Sequence, residues 1–368
     1  MNTHVSARIF VFLFIVLTGI GHAQDGIDII SQRGSVSIMP LYQQWTFGND
    51  GSFSEAGVDV SIYIPVLREL AFTLRNTPVT TAGEPVEKIS GFTDTQIGLL
   101  YHLEDQHLLF SLGANLPTGK RELTREEFLS NVLLSNTALG MQVTQFGQGV
   151  NLNPGVMWSV MAGENVALGL GLTYHYKGIF KPIKGSGEYD PGDEILATAG
   201  ADWSLGEASN LSIDVIFTHY GADVFENEDV YAAGNKIVGG IQYSRYFENN
   251  RLTLAARYRS YGKGEAPIAG VLAPTFAQSE PDNAEFAATY SMKLSDQFNL
   301  GVLVSGRYYQ ETITRVSGVK LGGVGVMPEY WITRSIRVPA RVVVQFGTMK
   351  DGRSLTGIEA GLGVHVGL

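Results

Sequence analysis

The chain contains no cysteine. That excludes a disulfide framework, a thiolate metal site and a cysteine nucleophile. Charge is sparse: Asp, Glu, Lys and Arg make up 17% of residues, against a usual ~25%. The formal net charge is −10, which suits a nucleic-acid partner poorly, because phosphate binding needs clustered cations. Long apolar runs are also missing. The run from Ile9 to Leu17 falls short of the ~20 residues that span a bilayer as a helix, and nothing after residue 23 approaches that length.

What is present begins with a leader. Arg8, the apolar run and Gly21-His22-Ala23 read as a secretory signal peptide over 1–23, which leaves 24–368 as a single domain. Glycine is abundant, at 44 residues, well above the average usage of about 7%. The main signal is alternation. In 166–176, Val166, Leu168, Leu170, Leu172, Tyr174 and Tyr176 fall opposite Gly169, Gly171, Thr173 and His175. The same period of two recurs in 58–64, 211–217, 252–258 and 300–308, and runs to the last residues through Ile358, Ala360, Leu362, Val364 and Val366. Such segments are strands with one apolar face.

A soluble sandwich would bury those faces against each other. A transmembrane barrel turns them to lipid. The second face here is rich in Gly, Ser and Thr, which suits a lumen. The segments are also long enough to cross a bilayer at a tilt. Tight connections alternate with long ones at 79–91, 117–147, 178–193, 221–235, 263–283 and 311–317. The expected fold is therefore an all-β transmembrane antiparallel barrel of about sixteen strands, in a range of 12–18, with short periplasmic turns and long extracellular loops. Parity holds if 148–160 forms one strand. Closure would pair the last strand with the first, near 34–46. Two aromatic girdles are expected: Tyr101, Trp158, Trp203 and Tyr243 near the tight turns, and Tyr174, Tyr176, Phe217, Tyr308 and Phe346 near the long loops.

The stretch Leu112–Glu122, LGANLPTGKRE, followed by GQGVNLNPGVMWSV and a glycine-rich hairpin, resembles the outer-membrane transporter-like barrels of the "MetA-pathway of phenol degradation" type. More distantly it resembles the FadL-type transporters of hydrophobic compounds. The resemblance covers about a fifth of the chain and implies an outer-membrane channel for small, often hydrophobic solutes. Two features depart from it: the short run before the first strand leaves no room for a FadL-type plug, and the chain ends in Leu368 rather than an aromatic residue.

Chemistry-bearing constellations are weak. His102, His107, His175, His219 and His365 lack a nucleophile setting. The acidic stretch 225–231 lacks calcium-loop spacing. No phosphate loop is present. The sequence points to no enzyme, cofactor or metal. The segment 120–134 has Leu123, Phe128, Leu129, Val132 and Leu133 near helical spacing, and reads either as a short helix folded into or over the mouth or as an ordinary surface loop. Inward parity marks Arg257, Arg259, Lys293, Arg307 and Arg341 as pore-lining cations, and Asp202 and Asp214 as acids on another sector. These could set a transverse field or brace the wall by pairing, as Arg341 with Glu359. The expected function is an outer-membrane channel or transporter for small solutes, in contact with outer-membrane lipid. The alternative is a structural or adhesive barrel that acts through its loops.

Overall fold

A computed structural model describes residues 33–84, 86–268, 271–275, 280–312 and 317–368. The expected signal peptide lies outside these. Sixteen antiparallel strands form one sheet: β1 (Ser35–Phe47), β2 (Ser52–Pro65), β3 (Leu70–Asn76, continued by Pro78–Gly83), β4 (Ser90–Phe92 and Thr95–Leu103), β5 (Leu108–Leu116), β6 (Asn151–Met161), β7 (Val166–Lys177), β8 (Glu194–Ser204), β9 (Ser209–Tyr220), β10 (Lys236–Phe247), β11 (Asn250–Tyr261), β12 (Asn283–Lys293), β13 (Phe298–Tyr309), β14 (Lys320–Trp331), β15 (Ile336–Thr348) and β16 (Ser354–Leu362 and Val364–Gly367). The two pieces of β3 keep one register against β2, with Val60 opposite Asn76 and Gly57 opposite Val79.

The sheet closes. β16 pairs with β1 from Phe47 opposite Leu355 to Ser35 opposite Gly367. That partner explains why alternation persists to the C-terminus: an unpaired edge in lipid would leave its backbone groups without hydrogen bonds. The single strand expected within 148–160 is β6.

Alternation sorts the two faces as the sequence implied. Along β7, Leu168, Leu170, Leu172, Tyr174 and Tyr176 are exposed, while Gly169, Gly171, Thr173 and His175 are not. The outer surface therefore carries large apolar side chains with no protein cover, among them Ile213, Val215, Val302, Val304, Val324 and Val342. A water-soluble protein does not show an apolar belt of that kind, and a membrane barrel requires one. Of the expected girdle residues, Tyr101, Trp158 and Trp203 stand exposed towards one rim, and Tyr174, Tyr176, Phe217, Tyr308 and Phe346 towards the other. Tyr243 is only half-exposed.

The connections differ between rims. One rim carries only tight turns, at 66–69, 104–107, 162–165, 205–208, 248–249, 294–297 and 332–335. The other carries the long ones, together with short links at 48–51 and 349–353. Three long connections meet in a second, five-stranded sheet built from Tyr189–Asp190, Ala222–Phe225, Glu228–Ala232, Glu265–Ile268 and Val271–Pro274. The acidic stretch 225–231 is a hairpin tip in it. Glu226 and Asn227 take positive φ there, as a tight hairpin turn demands.

Candidate functional site: an in-folded segment and the wall it leaves uncovered

The longest connection, 117–150, folds back onto the inside of the barrel. Its neck is closed by one carboxylate. A break between the two pieces of β4 presents Asp94, which is almost fully buried. Its Oδ1 accepts from the Gly119 N–H at 2.9 Å and its Oδ2 from the Gln148 N–H at 2.8 Å. Both ends of the segment therefore hang on one side chain, by charge-assisted bonds. Thr118 adds a second tie: its hydroxyl accepts from the Thr95 N–H at 2.9 Å and donates to the Thr93 carbonyl at 3.3 Å. Gly119 must be glycine, because a Cβ there would lie 2.1 Å from the Phe146 carbonyl. The Pro-Thr-Gly-Lys stretch at 117–120 is thus the neck of the insert, more than the simple turn its sequence suggests.

Past the neck comes α1 (Arg125–Leu134), one of the two forms expected for this stretch. Thr124 and Glu127 form a reciprocal capping box, with the Glu127 N–H donating to Thr124 Oγ1 and the Thr124 N–H to Glu127 Oε2. Lys120 pairs with Glu127. Burial works against ionisation of Glu127, but the Lys120 ammonium and the Thr124 N–H together hold its carboxyl below the ordinary glutamate range. The apolar stripe is buried only in part: Leu123 is buried, and Phe128 and Leu133 pack against the buried cluster. Leu129 and Val132 are exposed, while Glu127, Ser130 and Leu134 are buried. Polar anchoring adds to this packing: the Ser130 hydroxyl accepts from the Glu87 N–H at 2.6 Å.

Residues 137–146 then lie against the inner wall. Ala138, Leu139, Met141, Val143 and Phe146 join Trp45 and Phe47 of β1, Phe53 of β2, Val79 of β3, Tyr309 of β13 and Leu355 of β16 in one buried cluster. Backbone groups of the insert meet wall side chains. The Gln43 amide donates to the Gly140 carbonyl at 3.1 Å and its oxygen accepts from the Gln142 N–H at 2.8 Å. Glu55 Oε1 accepts from the Val143 N–H at 3.0 Å. The Tyr309 hydroxyl lies 3.0 Å from the Thr137 carbonyl. Gln43 and Glu55 are opposite neighbours across β1 and β2, so the wall offers the insert a row of polar side chains that both donate and accept. Parity could mark these residues as inward. It could not show that 137–146 would cover them.

The charged residues singled out from sequence fall into two sets. Arg259 lies 2.9 Å from Glu285 and donates to Asn283 at 3.1 Å. Arg307 donates to Gln345 at 2.5 Å. Arg341 pairs with Glu359 at 3.0 Å, the bracing pair considered from sequence. Lys293 sits at the tight-turn rim, exposed and 2.8 Å from Asp296, so it lines no mid-barrel surface. Asp202 accepts from Ser212 at 2.5 Å. Asp214 and Arg257 have no hydrogen bond or ion pair among the described residues. Asp202 on β8 and Arg341 on β15 lie on separate sectors of the wall, whereas Asp214 and Arg257 do not. One strand alone, β10, separates Asp214 on β9 from Arg257 on β11, so they share a wall. Sequence reasoning missed the partners Glu285, Gln345 and Asn283. It also missed the inward pairs Arg75–Asp59 at 2.7 Å and Arg337–Glu329 at 2.9 Å. Register decides who meets whom, and register is a property of two strands at once.

The two sides of the interior differ in cover. On the insert side Gln43, Glu55, Gln345 and Glu359 are buried. On the β8–β11 side Leu196, Ile216 and Val238 form a small buried cluster and Thr218, Ser244 and Thr253 are buried, but Asp202, Ser212, Asp214, Gly240, Gln242 and Arg257 keep part of their surface open. Among the described residues no cluster of His, Asp and Glu could hold a metal ion.

No family model matches the chain, and no curated protein matches it by sequence. Solved structures do resemble it. Pseudomonas aeruginosa OccK5 (OpdH) aligns over 91% of this chain and 98% of its own at 10% identity and a TM-score of 0.48. The outer membrane channel DcaP of Acinetobacter baumannii aligns over 91% and 96% at 12% identity and a TM-score of 0.47. Pseudomonas aeruginosa OpdQ aligns over 91% and 99% at 9% identity and a TM-score of 0.45.

Proposed function

We propose that the protein is a non-enzymatic outer-membrane channel for small polar solutes, with a conduit that runs between the in-folded segment and the wall of β8 to β11. One observation carries this reading. The insert covers one sector of the interior with an apolar cluster, while the facing sector keeps a partly open wall of carboxylate, guanidinium, amide and glycine. A barrel built only for rigidity would pack both sectors. A surface that recognises ions and dipoles keeps its polar groups accessible. The apolar belt supports a barrel that sits in lipid, and the outer membrane is the compartment where closed barrels of this kind reside. Transport of hydrophobic compounds, implied by the family resemblance, draws less support, because the accessible wall is polar.

Planar-bilayer recording on the purified protein tests the proposal. Stepwise conductance in potassium chloride is expected, rising in a variant that lacks residues 121–146. A protein that inserts as a folded barrel yet passes no ions in either form would reject it. A second reading, binding through the external loops without conduction, draws on the five-stranded sheet at the long-loop rim. It is the reading that a non-conducting barrel would leave standing.

A further inference from the structure

We infer that Asp214 and Arg257, with Gly240 between them, form a binding notch for small zwitterions, solutes that carry an ammonium and a carboxylate together. The inference rests on the channel reading above and names the class of solute it favours.

The row is set by register. Gly200, Asp214, Gly240, Arg257, Glu285 and Arg307 are successive opposite neighbours across β8 to β13, and all share the inward parity. Asp214 thus has a glycine on each side. The place over Gly240, between the acid and the arginine, is taken by the acid's own carboxylate. A Cβ on Gly240 would lie 2.6 Å from Asp214 Oδ1, so the carboxylate occupies the space a side chain would need.

Among the described residues neither charge has a hydrogen bond or ion pair, in contrast to the other arginines named from the wall. Arg259, Arg307, Arg337 and Arg341 are each held by a carboxylate or an amide. Glu285, the acid opposite Arg257, holds Arg259 and Tyr309 on Oε1, while its Oε2 has no hydrogen-bond partner among the described residues. Asp214 Oδ2 has no hydrogen-bond partner among the described residues, and Asp202 is engaged with Ser212. Opposite charges this near would ordinarily close into an ion pair. Here the α-carbons stand two strand spacings apart, roughly 10 Å, and the side chains stop short of each other.

A solute completes the circuit if it offers both signs. Its ammonium donates to Asp214, and its carboxylate takes the guanidinium fork. A purely cationic solute would leave Arg257 unpaired and repel it, and a purely anionic one would do the same at Asp214. Gly200, on the other side of Asp214, adds no side chain to the wall there. The notch therefore discriminates by paired charge.

The test uses the full-length protein in planar bilayers at low salt, with glycine as the probe and glycinamide and acetate as single-charge controls. Glycine is expected to lower the single-channel potassium current saturably, with both controls at least tenfold weaker. Asp214→Asn and Arg257→Gln should each weaken the glycine effect by roughly tenfold or more, the scale of losing one hydrogen bond to a charged group. The charge-exchanged double variant, Asp214→Arg with Arg257→Asp, should recover part of it. Retained heat-modifiable mobility on a gel shows that each variant folds. Equal effects of glycine and the controls would overturn the proposal. So would a glycine effect unchanged in both single variants. If the wild type passes no current, the channel reading fails separately. Calorimetric titration of glycine into the detergent-solubilised barrel then decides the notch: heat lost in Asp214→Asn and Arg257→Gln supports it, and no heat in the wild type ends it.

Discussion

At the scale of the residue, close approach governs more of this molecule than charge does. Gly119 and Gly357 show it. A Cβ on Gly119 would meet the Phe146 carbonyl at 2.1 Å, and one on Gly357 would meet the Trp45 ring at 2.7 Å. Neither neighbour can swing aside, since one is backbone and the other a fully buried indole. Gly119→Ala should free the insert at its neck and cost on the order of 1–3 kcal/mol, as overpacking does. Limited proteolysis would read this as new cleavage within 119–148, while the barrel stays heat-modifiable. Asp94→Ala should do the same by removing both charge-assisted acceptors at once. An insert as protected as wild type in both variants would mean that the neck is not its anchor. Face assignment is testable residue by residue too. Leu170→Arg, on the lipid side, should cost about 2–4 kcal/mol near the midplane. The inward counterpart is better taken at Ser305 than at Gly171, where a Cβ would lie 2.4 Å from the Thr198 hydroxyl. Equal loss of thermal stability at positions 170 and 305 would contradict the outward apolar face.

At the scale of the element, the strands were legible and the insert was not. A period of two is local, so β7, β9, β11 and β13 could be read from their own residues. Two kinds of feature could not. One is the break at Thr93–Asp94, where the chain leaves the ladder and turns a carboxylate inward; no alternation announces it. The other is the fate of 117–150. Its apolar residues were visible, but the same spacing serves a helix lying on a surface and a segment buried in a barrel. What decides is the matching row of Gln43 and Glu55 on the opposite wall, and that row exists only once β1 and β2 are in register. The outer hairpins escaped for a similar reason, since Glu226-Asn227 is a less obvious turn pair than Asn-Gly. The helix within the insert carries its own prediction. The Glu127 carboxyl is held below its ordinary value of 4.5, so its contribution is full above that pH and is lost as pH falls through the lowered value. The helix should stay capped at neutral pH and loosen only in stronger acid. Thr124→Ala, which removes one half of the capping box, should cost about 0.5–2 kcal/mol and shift loosening to milder acid. Hydrogen exchange of the 125–134 amides against pH would measure it. Identical profiles in the two proteins would show that the cap does not hold the helix.

For the whole molecule, closure is the condition on which everything else depends. A sheet in hydrocarbon has no water to satisfy an open edge, and each unmet backbone group costs several kcal/mol. β16 removes both edges together: it pairs with β15 through Ala340 opposite Leu362 to Thr348 opposite Ser354, and with β1 on its other side. Even its last residues are tied, by the Gly367 N–H to the Ser335 carbonyl at 2.7 Å and the Leu368 N–H to the Gly34 carbonyl at 2.8 Å. The strand also carries Leu355 into the buried cluster under the insert and Glu359 onto Arg341. Removing residues 354–368 therefore opens two edges, uncovers the insert and strands a buried guanidinium in one step. Such a chain should fail to give a heat-modifiable band after refolding into detergent or lipid, and should be degraded by protease along its length. Removing Leu368 alone deletes a single backbone tie and one exposed side chain. That shorter truncation should still assemble, with only a small drop in melting temperature. If the long truncation refolds to a protease-resistant barrel, closure through β16 is not what holds the structure. The pairing of the first strand with the last would then be an accessory to a sheet stable without it.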